Sequence, residues 1–219
     1  MKYQAAIFDM DGTLIDSLED LADSVNETMN HYNFPSHTLN EYRYFVGNGA
    51  RKLIERSIPN DKASDSDFVS EVLEYYDGCY KRRLTNKTRP YNGILEMLQK
   101  LQDKGIPLGI CTNKQQFAAD EIISKIFPAN MFNAVIGDQK GMPRKPDPAK
   151  VLKIAAQFNV KPECVAYFGD TSVDMETAHN AGFLSVGVTW GFRPESELIE
   201  SGAEVIINHP SELWQHVDF

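Results

Sequence analysis

A chain of 219 residues, 42% hydrophobic and 24% charged, is long enough for one full α/β domain plus a smaller inserted one, and its composition excludes a disordered protein. The formal net charge of −9 argues against general affinity for nucleic acid or anionic membranes, because attraction to phosphate backbones needs the opposite sign. Cys79, Cys111 and Cys164 include no CxxC pair, no charged and apolar leader precedes Asp9, and no apolar run approaches about 18 residues. The expectation is a cytoplasmic protein with reduced thiols, a monomer or weak homo-oligomer.

In chain order, residues 3–8 (YQAAIF) are a short apolar run that predicts a buried strand ending at Asp9. Residues 17–84 behave differently. Leu18, Leu21, Val25 and Met29 form one helical stripe; Leu53, Ile54 and Ile58 form a second behind Gly47-Asn48-Gly49; Phe68, Val69, Val72, Leu73, Tyr76 and Tyr80 form a third. No convincing strand interrupts them, so the segment reads as a helical insertion. Further strands are expected at 106–111, 134–136, 165–168, 184–188 and 205–207, each short and rich in β-branched or aromatic residues. Helical stripes lie between them, at Ile94 to Leu101, Ile122 to Ile126, Val151 to Phe158 and Met175 to Ala181. Such alternation predicts an α/β fold with a doubly wound, mostly parallel sheet, which binds ligands beyond the carboxyl ends of its strands. The expected division is a core of residues 1–16 and 85–219 and a helical domain of residues 17–84.

The chemistry-bearing residues fall at those strand ends. Asp9 and Asp11 stand one residue apart after the first strand, followed by Gly12, which lets backbone approach a ligand closely. Asp-Gly is also ordinary turn chemistry, so the pair gains meaning only from other segments. Gly169-Asp170-Thr171-Ser172-Val173-Asp174 sets two more acids where a predicted strand enters a helix, and neighbouring strand tips can bring both pairs together. Four carboxylates that also accept an anionic substrate call for a hard cation. Magnesium takes carboxylate, water and phosphate oxygens, which makes Asp9, Asp11, Asp170 and Asp174 its candidate ligands; no His or Cys cluster suggests zinc. Donors for a phosphate are available in Thr112-Asn113-Lys114 and in Lys145 of Arg144-Lys145-Pro146-Asp147-Pro148. Each alone also reads as a helix cap or a solvated loop residue.

The order of these segments resembles that of the haloacid dehalogenase superfamily along essentially the whole chain. DMDGTLIDS at residues 9–17 looks like its first motif, Thr112 with Asn113 like its second, Lys145 in KPDP like its third, and GDTSVD at residues 169–174 like its fourth. The resemblance implies a Rossmann-like core with a helical cap inserted after the first motif. It also implies roles: Asp9 as nucleophile and metal ligand, Asp11 as general acid and then base, and Asp170 as a direct ligand supported by Asp174. Thr112 and Lys145 would hold the phosphoryl oxygens, with Gly12 and Asn113 beside them.

The acid at position 11 favours phosphate-ester or anhydride chemistry, since family branches that cleave carbon–halogen or carbon–phosphorus bonds lack it. Val46-Gly47-Asn48-Gly49-Ala50 resembles the cap segment of phosphoglycolate phosphatases, which implies a small phosphorylated metabolite, 2-phosphoglycolate first among them. Gly47 to Gly49 open a predicted helix whose N–H groups could take an anion, with Asn48 and Arg51 as candidate contacts and Lys52 and Arg56 nearby. A plain loop with solvated basic residues is the alternative. A pyrophosphatase, a nucleotidase or a hexose-phosphate mutase on the same scaffold, and a silent binding protein that keeps the fold, are the remaining readings.

Overall fold

The computed structural model describes residues 2–219. Strand β1 (Ala5–Phe8) is buried throughout, as a central strand of a parallel sheet must be. Tyr3, expected in this strand, lies outside it: its N–H donates to the Asp218 carbonyl and its ring packs edge-on against Phe219. The chain continues through β2 (Ile15–Asp16) and five helices: α1 (Leu18–His31), α2 (Leu39–Phe45), α3 (Ala50–Ser57), α4 (Asn60–Ala63) and α5 (Ser66–Lys81). It returns through β3 (Arg89–Pro90) and α6 (Ile94–Asp103) into β4 (Leu108–Gln115). Then come α7 (Gln116–Ile126), β5 (Ala134–Asp138), α8 (Ala149–Gln157), β6 (Val165–Gly169), α9 (Ser172–Ala181) and β7 (Leu184–Val188). The last elements are α10 (Glu195–Glu200), β8 (Val205–Ile207) and α11 (Leu213–His216).

Six strands pair in parallel in the order β5-β4-β1-β6-β7-β8. The expected α/β doubly wound sheet is present. From β1 the connections run one way to β4 and β5 and the other way to β6, β7 and β8, so β1 sits at the switch point where a parallel sheet opens a crevice. The alternation along β1 and β6 sends Phe8 and Phe168, stacked with ring centroids 4.7 Å apart, to one face, and Ile7 and Tyr167 to the other.

The face that carries Phe8 continues without a break into the inserted helices: Leu14, Leu21, Val25, Leu53, Val69 and Tyr76 belong to the same buried cluster. Helix α1 packs along α5, and α3 also lies on α5. Helix α2 begins with a capping box in which the Thr38 hydroxyl accepts from Glu41 N–H and the Glu41 carboxylate accepts from Thr38 N–H. Where the insertion leaves and rejoins the sheet, β2 and β3 form an antiparallel pair, Ile15 opposite Pro90 and Asp16 opposite Arg89. Two-residue strands carry no alternation, so the sequence offers no periodic sign of them.

A buried carboxylate fastens this junction. Asp20, on the first turn of α1, accepts through Oδ2 from Lys87 N–H at 2.9 Å, Thr88 N–H at 2.8 Å and the Thr88 hydroxyl at 2.7 Å. Asp20→Ala would leave three donors without their acceptor and is expected to lower the unfolding free energy by about 3 kcal/mol. Asp20→Asn, which keeps one acceptor oxygen, should cost about half as much; urea unfolding followed by circular dichroism measures both.

Candidate active site

Asp9 stands at the tip of β1 between the tips of β4 and β6, where Asp170 from the end of β6 and Asp174 from α9 come to meet it. Asp9, Asp170 and Asp174 are all buried and offer carboxylate oxygens that lie within 4.8 Å of one another. Lys145 sits among them, its Nζ 2.9 Å from Asp9 Oδ1 and 2.7 Å from Asp174 Oδ1. It also donates to the Tyr167 hydroxyl at 3.1 Å. The Asp9 contact lacks hydrogen-bonding direction, so Oδ1 is paired by charge alone and has no hydrogen bond of its own.

Three buried anions face one cation, and the carboxyl groups respond. Burial pushes Asp9 up to about 6, with the Lys145 ammonium opposing and Asp174 reinforcing the shift. Asp170 is raised well above the ordinary carboxylate range by burial first and then by Asp174 and Asp9, against donation from Phe192 N–H and the Thr13 hydroxyl. Burial acts on Lys145 in the opposite direction, but Asp174 and Asp9 outweigh it and hold the ammonium charged well above its usual range.

Backbone geometry makes room for this packing. Gly12 has φ +84°, and a Cβ there would come within 2.2 Å of Asp170 Oδ2; at Gly191 a Cβ would meet Asp170 Cβ at 2.3 Å. Glycine at position 12 therefore serves the Asp170 carboxylate, where the sequence suggested a ligand. Asp170 is further held by the Thr13 hydroxyl at 3.0 Å on Oδ1 and by Phe192 N–H at 2.8 Å on Oδ2. Asp174, in the first turn of α9, shares a capping box with Thr171, and its other oxygen accepts from Lys145 and from the Tyr167 hydroxyl.

The remaining expected residues divide. Thr112 and Asn113 line the cavity above Asp9. They lie in the part of β4 where the register against β5 shifts between Cys111 and Gln115. Asn113 is a clamp: its side-chain amide donates to the carbonyls of Gly47 and Lys145 and accepts from Lys145 N–H. The Asp11 carboxylate departs from the expected metal cluster. Both its oxygens accept from Lys114 Nζ at 2.9 Å, and Oδ1 also accepts from the Ser17 hydroxyl. Ser17 occupies the N-cap position of α1 yet makes no side-chain cap, because its hydroxyl is directed to Asp11.

Arg51 also departs from expectation. On α3 it turns outward to Glu55, Ser66 and Ser70, so its charge is neutralised within the insertion rather than offered to the cavity. Asn48 accepts from Arg56, and it is Gly47 and Gly49, not Asn48, that line the cavity. Residues that sequence reasoning passed over include Thr13, Ser17, Tyr167 and Phe192. Of these, Thr13 and Ser17 stand inside the DMDGTLIDS segment without having been singled out, and Tyr167 left a sign as a hydroxyl in the otherwise apolar strand VAYFG.

The cavity is small, about 50 Å³, and is enclosed mainly by Leu21, Val46, Leu53, Tyr76, Tyr80 and Phe192. Buried carboxylates at a sheet switch point beneath such a cavity are the arrangement expected of an enzyme of small molecules. The haloacid dehalogenase-like hydrolase family matches residues 6–188, and the chain belongs to that family. Its relatives include the phosphoglycolate phosphatase of Haemophilus influenzae strain 86-028NP, 31% identical over 94% of both chains. That of Xanthomonas campestris pv. campestris strain 8004 is 30% identical over 97% of this chain and 95% of its own. A crystal structure of a predicted phosphoglycolate phosphatase from Haemophilus somnus 129pt superposes with a TM-score of 0.90, at 27% identity over 98% of both chains.

The donor set fits a hard divalent cation: only carboxylates, buried, one oxygen without a hydrogen bond, and a surplus of negative charge. Metal and proton would compete for the same oxygens. Without metal, native Asp9 takes up its proton near pH 6, above the 3.8 of an ordinary carboxyl, so protonation stabilises the native state as pH falls between those values. Addition of Mg2+ is therefore expected to raise Tm clearly at pH 7.5, with the increment shrinking as pH drops through about 6. Thermal scans with EDTA or Mg2+ across that range provide the check.

Proposed function

We propose that this hydrolase is a magnesium-dependent phosphatase that converts 2-phosphoglycolate to glycolate and phosphate through an aspartyl-phosphate on Asp9. Its class, a phosphoric monoester hydrolase, stands on the family and on full-length relatives named for that activity. The observation that carries the reading is the placing of Asp9: a buried carboxylate at a strand tip, 2.9 Å from the Lys145 ammonium, under a cavity of about 50 Å³. The full-length relatives named for phosphoglycolate favour a two-carbon leaving group over a sugar or a nucleoside.

Asp9 and Asp170 would hold the metal directly. Asp174, whose two oxygens already accept from Lys145, Tyr167 and Thr171, supports from behind. When bound, Mg2+ would supply the positive charge that lets an anionic phosphoryl group approach an anionic nucleophile. Asp9 attacks phosphorus, the phosphorus–oxygen bond to the glycolate breaks, and Asp11 gives its proton to the departing oxygen. Lys145 and the Thr112 hydroxyl stabilise the phosphoryl oxygens during transfer. Asp11, now ionised, takes a proton from a water that attacks the aspartyl-phosphate, which regenerates Asp9 and releases phosphate. We take residues 17–84 as the cap that excludes bulk water in the first step. The protein would work in the cytoplasm; among the described residues no helix is long and apolar enough to cross a membrane.

Steady-state phosphate release across 2-phosphoglycolate, pyrophosphate, nucleotides and hexose phosphates tests the substrate. The two-carbon ester should show the highest kcat/KM, and EDTA should abolish turnover. Asp9→Asn is expected to remove turnover by several orders of magnitude with the fold intact. Asp11→Asn should cost about 10²- to 10⁴-fold, as loss of a general acid does.

A further inference from the structure

Among the residues that line the cavity above Asp9, Lys114 carries the one positive charge. It is buried, its side chain 4% exposed, and its Nζ sits 4.8 Å from the centre of the Tyr80 ring. Tyr80 reaches the same cavity from α5, is 2% exposed, stacks on Tyr76, and has a hydroxyl with no hydrogen-bond partner in the protein. A buried hydroxyl without a partner costs free energy that apolar packing alone would have avoided with phenylalanine. Leu21, Leu53 and Phe192, which line the same cavity, carry no side-chain hydrogen-bonding group, and the charges that act on the hydroxyl are those of Asp11 and Asp20. An ammonium over the ring of a tyrosine whose hydroxyl lacks a partner, both lining one recess, can together meet the needs of a carboxylate.

We propose that Lys114 and Tyr80 form the subsite for the substrate's carboxylate and so set the preference for a short phosphorylated acid. The inference rests on the phosphatase reading above and adds to it the residues that recognise the leaving group. Arg51, the basic residue that the cap sequence offered for this task, is bound to Glu55, Ser66 and Ser70. In the structure Lys114 Nζ divides its contacts between the two Asp11 oxygens. A substrate carboxylate would draw the ammonium toward itself and leave Asp11 to face the bridging oxygen. Recognition of the acid and readiness of the proton donor are thereby linked through one side chain.

The test compares 2-phosphoglycolate with its neutral isostere 2-phosphoglycolamide, as the ratio of their kcat/KM values, in the wild type, Tyr80→Phe and Lys114→Met. Tyr80→Phe removes one oxygen and keeps the ring, so its Tm should stay near that of the wild type. The acid-to-amide ratio should fall roughly tenfold in Tyr80→Phe and roughly a hundredfold in Lys114→Met. The loss on the acid should appear mainly in KM for Tyr80→Phe and in both constants for Lys114→Met. A wild type that prefers the acid, with a ratio indifferent to both substitutions, would overturn the subsite and leave the phosphatase reading standing. A wild type that releases phosphate from both esters without preference would overturn the substrate and the subsite together.

Discussion

The arrangement depends on one electrostatic constraint: three carboxylates buried around a single ammonium at the tip of β1. Taking ions out of water is expensive, and a cluster with net negative charge is dearer still. Lys145 offsets part of that cost by lying between Asp9 and Asp174, and the Tyr167 hydroxyl completes the contact. Hydrogen bonds from Thr13 and Phe192 hold Asp170, and two glycines from different loops give it space. The scaffold thus keeps in place a charge distribution that would relax if it could. Uncompensated negative charge of this kind is what a site for a cation looks like before the cation is considered.

Side chains next to this cluster join the insertion to the sheet. Asp11 accepts from Ser17 at the head of α1 and from Lys114 on β4. Asn113 ties the Lys145 loop to Gly47 beyond α2. Arg193, in the loop after β7, donates to the Val46 carbonyl and lies over the Tyr44 ring. Asp11 is two residues from Asp9, Asn113 holds the backbone of Lys145, and Arg193 follows Phe192, whose N–H donates to Asp170. A movement of the helical segment therefore cannot leave Asp11, Asn113 and the Lys145 loop unchanged, and through them closure and the proposed chemistry would be coupled.

Much of this was legible in the sequence, for reasons that differ by element. Strands at 184–188 and 205–207 are apolar runs bounded by polar turns, and their limits agree with β7 and β8. The acids at 9, 170 and 174 were legible because each follows or opens a predicted element, so local pattern alone put them at one end of the sheet. Three features were not. The β2–β3 pair is too short to have a period. Strand β4 runs on to Gln115 because its polar end crosses a register shift, which propensity does not encode. Arg51 points away from the cavity because α5 supplies Ser66 and Ser70 across a tertiary contact that no spacing within α3 could reveal. Thr38 and Glu41 did stand at capping-box spacing, a local sign of α2 that lay between stronger stripes.

The distribution of positive charge is the last constraint that the structure places on the substrate. Lys145 lies beneath the cavity beside Asp9, and Lys114 lies in its wall beside Asp11; the other side chains in that wall are apolar or neutral apart from the two acids. A carboxylate brought into such a recess finds one ammonium in its wall, that of Lys114, and an unpaired buried charge is penalised far more than a lost contact. A neutral leaving group, by contrast, would leave Lys114 on Asp11 and gain nothing from it. Such discrimination would need no contact from Arg51, which is bound to Glu55, Ser66 and Ser70, while Lys52 pairs with Glu55 and Arg56 donates to Asn48 and to the Phe45 carbonyl.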